Sequence, residues 1–413
     1  MGGAVDEGVA SDTACAAVAG GDAAYGGEGA ATEGAAATTG ADDAATGNVG
    51  ATAAADDAPQ DGGEPGRPAR PEFRDACFRQ KRKKGKYRLV EPPLLDGPVA
   101  DTHAHVVMLR DPALELARCA LNGVTFVVCM EDVKEPWERT FEQTEAWTAQ
   151  AAAILPDVRQ ATLDVLDASE AEWAPAARAA FAERTAGMVA DAAACKRAIP
   201  RVRIAVGCHP HNASYYDDEM DATLRRLLRD PRVCGLGEVG LDYHYDFSPR
   251  DAQREAFRRQ IRIAHEAGLP LILHLREAHD EALAIMREEG FPAGGTLLHC
   301  FNLDAATLMP WVEAGCHVAI GGPVTFKTFD ELRAAVHDVP ADRLLTETDS
   351  PYMTPEPMRG SLCGPAHTVF TAARLAEELG FPPGEERAAF LQGMLDNARA
   401  LLDREPTAWQ RSV

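Results

Sequence analysis

Three features of the sequence predict an α/β chain of the (β/α)8 TIM-barrel type. Eight short apolar runs rich in Val, Ile and Leu follow one another between Val99 and Thr348. Amphipathic helical stretches separate them. Ligand-type side chains gather at the C-terminal ends of several of these runs, the ends that converge on one face of a barrel. A doubly wound open sheet is the alternative arrangement of the same elements.

The chain has 413 residues, 46% hydrophobic and 25% charged, enough for a large core. Its first 71 residues are mostly Ala, Gly, Asp, Glu and Thr, with twelve acids against two arginines. Such a segment cannot bury enough surface to offset the entropy of ordering and is expected to be a disordered acidic low-complexity tail. Of the formal net charge of −23, the tail carries −10 and the rest −13. An acidic body argues against broad, sequence-independent coating of nucleic acid. Residues 72–96 form a basic linker containing Phe78-Arg79-Gln80-Lys81-Arg82-Lys83-Lys84-Gly85-Lys86-Tyr87-Arg88. It reads as a solvated junction able to pair with the tail, or as a contact for nucleic acid or an acidic partner.

The remainder, 97–405, holds the eight runs: Val99–His105, Val124–Met130, Val202–Cys208, Val233–Val239, Pro270–His274, Gly295–His299, Cys316–Ile320 and Arg343–Thr348. Asp251–Ala267 and Asp280–Glu289 are amphipathic helices between them, and Thr368–Leu379 and Glu385–Leu402 close the chain, with Gly380 stopping the first of these. The connection 133–200 between the second and third runs is a helical insertion. Trp137, Phe141, Thr144, Trp147, Ala151 and Ile154 recur in it at helical spacing. It is read either as a lid over the C-terminal rim of the barrel or as extra outer helices.

Ten cysteines without a C-x-x-C pair point to a reducing, cytoplasmic setting. No apolar run approaches the ~18 residues of a membrane span, so no membrane partner is expected.

His103 and His105 end the first run, Glu238 lies near the end of the fourth, His274 ends the fifth, His299 ends the sixth and Asp349 follows the eighth. A single histidine in an apolar run is usually a satisfied core group. Six ligand-type residues at corresponding strand ends would leave buried charges and nitrogens uncompensated without a metal. Six exceed the four ligands of one tetrahedral ion, so two divalent ions are expected. His103, His105 and Asp349 would hold one, His274 and His299 the other, with Glu238 between them. Mixed imidazole and carboxylate donors suit Zn, Mn, Fe, Co and, less well, Mg.

Six segments in order resemble the TatD family of metal-dependent hydrolases: Asp101-Thr102-His103-Ala104-His105, Gly207-Cys208-His209-Pro210-His211, Gly237-Glu238-Val239-Gly240-Leu241-Asp242-Tyr243, Leu273-His274-Leu275-Arg276-Glu277-Ala278, Leu298-His299-Cys300-Phe301 and Glu347-Thr348-Asp349-Ser350-Pro351-Tyr352. The resemblance implies a TIM barrel of the amidohydrolase type, a two-metal centre and deoxyribonuclease activity. It matches the six residues above to the family's metal ligands, and His209 and Arg276 to positions that help hold phosphate or support the ligands. Two motifs depart from the family's pattern: Asn302-Leu303 follows His299-Cys300-Phe301, and Ser361-Leu362-Cys363-Gly364-Pro365 stands where the family has Arg-Asn-Glu-Pro.

The expected reaction is metal-assisted hydrolysis of a phosphodiester in an exonuclease manner. Glu238 would join the two ions, Asp349 would accept the proton of the attacking water, and Arg276 and His209 would steady the charge developing on phosphate. Two other functions remain open: a small-molecule esterase, lactonase or amidase on the same centre, and a non-catalytic partner-binding protein. The substrate partner is accordingly DNA or a small phosphodiester or ester.

Overall fold

The computed structural model describes residues 72–412; the acidic segment 1–71 lies outside them. Two antiparallel strands, β1 (Phe78–Lys81) and β2 (Tyr87–Val90), come first. Eight parallel strands then run side by side in chain order: β3 (Val99–Ala104), β4 (Val124–Asp132), β5 (Arg201–Gly207), β6 (Val233–Asp242), β7 (Leu271–Arg276), β8 (Thr296–Leu298), β9 (His317–Ile320) and β10 (Leu344–Thr346). The helices between and after them are α1 (Pro112–Leu121), α2 (Glu138–Asp167), α3 (Ala174–Ala186), α4 (Ala192–Ala198), α5 (Asp218–Leu227), α6 (Arg250–Ala267), α7 (His279–Glu289), α8 (Ala305–Glu313), α9 (Asp330–Ala335), α10 (Thr368–Glu378), α11 (Glu385–Leu402) and α12 (Ala408–Arg411). The eight expected runs coincide with β3–β10, and the arrangement is a TIM barrel.

Alternation along the strands explains where the core and the polar residues fall. Ala100, Phe126, Val128, Met130, Ala205, Cys234, Ile272, Leu297, Ala319 and Leu345 form one cluster with contributions from all eight barrel strands, and Leu395, Ala398, Leu401 and Leu402 of α11 join it. Two residues beyond Ile272 stands His274, two beyond Leu297 stands His299, and two and four beyond Leu345 stand Glu347 and Asp349. The other faces of the strands pack against the helices. In α6, for example, Phe257, Ile261 and Ala264 are buried and the chain leaves the helix through Gly268 at φ 66°, which an L side chain adopts only at a cost.

Side chains close the barrel where β10 meets β3. The Thr346 hydroxyl donates to Ala100 O at 2.7 Å and that of Thr102 to Thr346 O at 3.0 Å. Asp101, fully buried, accepts from Thr348 N–H at 2.9 Å and from the Thr348 hydroxyl at 2.6 Å. The Asp349 N–H donates to His103 O at 2.9 Å and the His105 N–H to Ser350 O at 2.8 Å. This seam brings the two ends of the barrel, and hence His103, His105 and Asp349, together.

The insertion is mainly an outer helical layer. Thr144, Trp147, Ala151, Leu155 and Val158 of α2 are buried, α2 lies on α1, and α3 and α4 lie on α2. The start of α2 reaches the rim, where the Thr140 hydroxyl donates to Glu131 at 2.5 Å and Arg139 donates to Val107 O at 3.0 Å. Residues 72–96, expected to be a linker, contain the β1–β2 hairpin. Phe78 is its anchor, buried edge-on to Phe370 of α10 with ring centroids 4.8 Å apart. An apolar residue in the basic cluster thus had a core position to fill. At the other end, Gln410 of α12 lies past the expected limit at 405 and donates to Leu228 O and Val233 O, capping the lower end of β6.

Candidate metal centre

Two glycines bring β6 close to β7. A Cβ at Gly237 would lie 2.5 Å from the Ile272 Cβ, and one at Gly240, where φ is 145°, 2.1 Å from His274 O. Both are far inside van der Waals contact, so glycine permits the approach. It sets Glu238 against the histidines of β7 and β8.

Glu238 is the hub of the cluster. Its Oε2 lies 3.4 Å from the Nε2 atoms of both His103 and His105. Its Oε1 lies 3.2 Å from His274 Nδ1 and 3.1 Å from His299 Nε2. Asp349 Oδ1 is 3.5 Å from His105 Nε2 and 3.8 Å from His103 Nε2. All six expected ligands therefore meet, with Glu238 dividing them into the two expected groups. The division is not complete, because His299 stacks on His103 with ring centroids 3.9 Å apart. His103, His299 and Asp349 also offer three donor atoms within 4.8 Å of one another, as do His103, His105 and Glu238.

The donor set fits divalent ions. His103 is fully buried and neither of its nitrogens has a hydrogen-bond partner. Leaving such groups unsatisfied costs of the order of 1–3 kcal/mol each, and coordination of Nε2, the nitrogen that faces Glu238 and Asp349, to an ion would remove one such penalty.

Two carboxylates that sequence reasoning did not assign stand behind the histidines. Asp242, fully buried, lies 3.3 Å from His274 Nε2 and 2.8 Å from His211 Nε2. Glu347, also fully buried, accepts from Cys300 N–H at 2.6 Å and approaches His299 Nδ1 to 3.6 Å. Carboxylates on the remote nitrogens aim the near ones into the cluster. The available signal was an acid in an apolar strand end, which is rarely buried without a partner. Glu131 is a third, raised to about 7 mainly by burial, against the hydrogen bond from Thr140.

His209 and Arg276 take different places. His209 Nε2 is 4.0 Å from Glu238 Oε1 and within reach of a group with Glu238 and His274. Its Nδ1 accepts the His211 N–H at 3.2 Å, which leaves the ring proton on Nε2. Burial and the neighbouring His274 hold His209 well below the usual histidine range. It thus faces the cluster as a neutral N–H donor. Arg276, at the end of β7, has its guanidinium carbon 4.6 Å from the Tyr245 ring centroid. Tyr245 stacks on the exposed ring of Phe247 at 5.1 Å.

In the metal-free protein the carboxylates of the cluster favour protonation of three of its histidines. Burial opposes it, but the Asp349 and Glu238 carboxylates raise His105 to about 9. His299 and His274 are raised too, against burial, by Glu347 and Glu238 and by Asp242 and Glu238 respectively. His103 moves the other way, lowered by burial and by His299. Groups raised above their unfolded value contribute stability that is full below about pH 6.5 and is lost as pH rises through the folded value. The chelator-treated protein is therefore expected to lose thermal stability between about pH 6.5 and 9, by at most ~3 kcal/mol from His105. Metal must displace these protons, so metal affinity should rise over the same window. Melting curves with chelator and with metal test this; equal midpoints at pH 7 and pH 9.5 in chelator would contradict it.

Barrel and candidate ligand set together fit a metal-dependent hydrolase. The family described as TatD related DNase matches residues 100–402, and the chain belongs to it. The chain is 40% identical over 173 residues to the metal-dependent hydrolase YabD of Bacillus subtilis, covering 42% of this chain and 68% of that one. It is also 40% identical over 154 residues to the 3'-5' ssDNA/RNA exonuclease TatD of Erwinia billingiae, covering 37% and 59%. Among solved structures, the TatD homologue YJJV of Escherichia coli superposes with a TM-score of 0.54 at 21% identity, over 74% of this chain and 98% of that one.

Proposed function

We propose that the protein is a two-metal exonuclease that hydrolyses phosphodiester bonds of single-stranded DNA or RNA. The observation that carries this reading is the division of four histidines and Asp349 around the two oxygens of Glu238. Its choice of substrate is supported by the likeness to the Erwinia exonuclease. His103, His105 and Asp349 would hold one divalent ion and His274 and His299 the other, with Glu238 shared. Bound there, the ions would supply an activated water and Lewis-acid polarisation of the phosphoryl oxygen.

The protein's own groups have separate tasks. Asp349 is held below the ordinary carboxyl range by His105 and its neighbours, against the effect of burial. It is therefore ionised and can accept the water's proton. The neutral His209 Nε2–H donates toward the oxygen on which charge develops, and Arg276 binds the phosphate at the rim. The proposed compartment is a reducing cytoplasm, in keeping with the nine described cysteines, all free thiols. Among the described residues no helix is long and apolar enough to cross a membrane.

A screen of metal-reconstituted full-length protein on single-stranded DNA, single-stranded RNA, duplex DNA and a panel of small esters tests the reading. Expected is stepwise release of mononucleotides from single strands, abolished by chelator and restored by metal. Turnover of esters alone would replace the nuclease by an esterase; no turnover of anything would leave only partner binding.

A further inference from the structure

We propose that the β1–β2 hairpin is a phosphate-binding arm that guides a nucleic-acid strand to the metal centre; the inference rests on the nuclease reading above. The hairpin lies outside the span matched by the family and has no part in the ligand cluster. Its base is fastened by an ion pair, whereas the cations near its tip are unpaired among the described residues. Arg79 pairs with Asp75 through two bonds of 2.8 and 2.7 Å and covers the Phe73 ring at 3.9 Å, so its charge is neutralised within the hairpin. Lys81, Arg82, Lys83, Lys84, Lys86 and Arg88 are all exposed, and among the described residues none of them forms an ion pair. They stand on a protein whose formal net charge is −23.

Like charges are also held together here. Gln80 lies directly across from Arg88 in the ladder, and its Oε1 accepts from both Arg82 and Arg88, at 3.1 and 3.0 Å. Two guanidiniums converging on one amide oxygen repel each other. A phosphate, with several acceptor oxygens and negative charge, would relieve that repulsion and accept from both.

The location connects the arm to the site. Lys81 N–H donates to Ser361 Oγ at 3.4 Å. Ser361 belongs to the loop that leaves the catalytic end of β10 after Asp349, and Tyr352 in the same loop has its ring 6.4 Å from His105. The cationic tip thus flanks the rim on the side where β10 delivers Asp349. An acidic body repels a strand over most of its surface, so a local cationic arm determines the direction of approach.

The test uses full-length protein, metal-loaded for turnover and metal-free for binding, and the triple variant Lys83→Gln/Lys84→Gln/Lys86→Gln, with Lys→Arg at the same positions as the conservative counterpart. Each phosphate contact contributes about 0.7 to the slope of log K against log salt for single strands. The triple glutamine variant should therefore bind a 20-nucleotide strand, measured in chelator, with a slope smaller by about 2. Its kcat/KM on that strand should fall at least tenfold further than on a dinucleotide, mostly through KM, and the arginine variant should restore both. An unchanged salt slope in the glutamine variant, with wild-type protein still cleaving strands, overturns the arm and leaves the nuclease. Failure of wild-type protein to bind or cleave any strand overturns both.

Discussion

Replacing Glu238 by Gln is expected to reduce bound metal from the proposed two ions per chain to one or none and to lower the proposed phosphodiester hydrolysis by roughly 10³-fold or more. The size follows from position. Its two oxygens lie 3.1–3.4 Å from nitrogens of four different histidines. Glu238 sets one oxygen against each half of the cluster, and His299 also crosses the division by stacking on His103. An amide of the same shape can offer its oxygen to one half, but its NH2 faces the other as a donor. Stabilisation of transition-state charge by a metal amounts to several kcal/mol, and each ~1.4 kcal/mol is a factor of ten in rate.

The fold should survive the substitution. Glu238 is held well below the usual carboxyl range by His103 and His299, which outweigh its burial. Without its negative charge the histidines would shed protons more readily, so the pH dependence of stability in chelator should weaken in the variant, while Asp349, Asp242 and Glu347 keep part of it. Metal content by elemental analysis, read beside a melting curve, separates a lost ion from a lost fold. Full metal content together with full activity would remove Glu238 from the centre of the site.

The barrel was legible because its signals are local. Each strand is a short apolar run, and a period of two carries the inward face from Ile272 to His274 and from Leu297 to His299. The first strand does not obey that period. Ala100 faces inward, yet His103 and His105 reach the cluster because the register of β3 against β4 shifts between Asp101 and Ala104. A register shift depends on the partner strand and leaves no mark in the sequence of one strand.

The supporting groups were harder to read for a related reason. Asp242 and Glu347 lay inside quoted motifs, but their work is defined by partners 32 and 48 positions away along the chain, His274 and His299. The hairpin was masked by its charge. Seven basic residues in eleven hide one Phe, and only the core shows that Phe78 fills a place beside Phe370. The insertion offered a helical period that fits a lid and an outer layer equally well; the difference lies in what the buried face meets, and it meets α1.

Asp349→Asn separates the proton acceptor from the rest of the centre. The backbone at Asp349 sits at φ 56°, a region that Asp and Asn enter more readily than other side chains. Its N–H is fixed to His103 O at 2.9 Å. Asn can keep both, whereas Ala would add backbone strain to the loss of the carboxylate. His103, His105 and Glu238 would still offer three donors to the adjacent ion, so metal content should fall much less than in Glu238→Gln. What the amide cannot do is take a proton from water at neutral pH. General-base catalysis contributes about 10²–10⁴-fold, and kcat should fall by that order while KM for a single-stranded substrate changes little. A variant with KM raised and kcat intact would make Asp349 a group that binds substrate. A variant with unaltered kcat on every substrate would require a different proton acceptor, and Glu131, raised to about 7 and lying beside the rim, would be the next to replace.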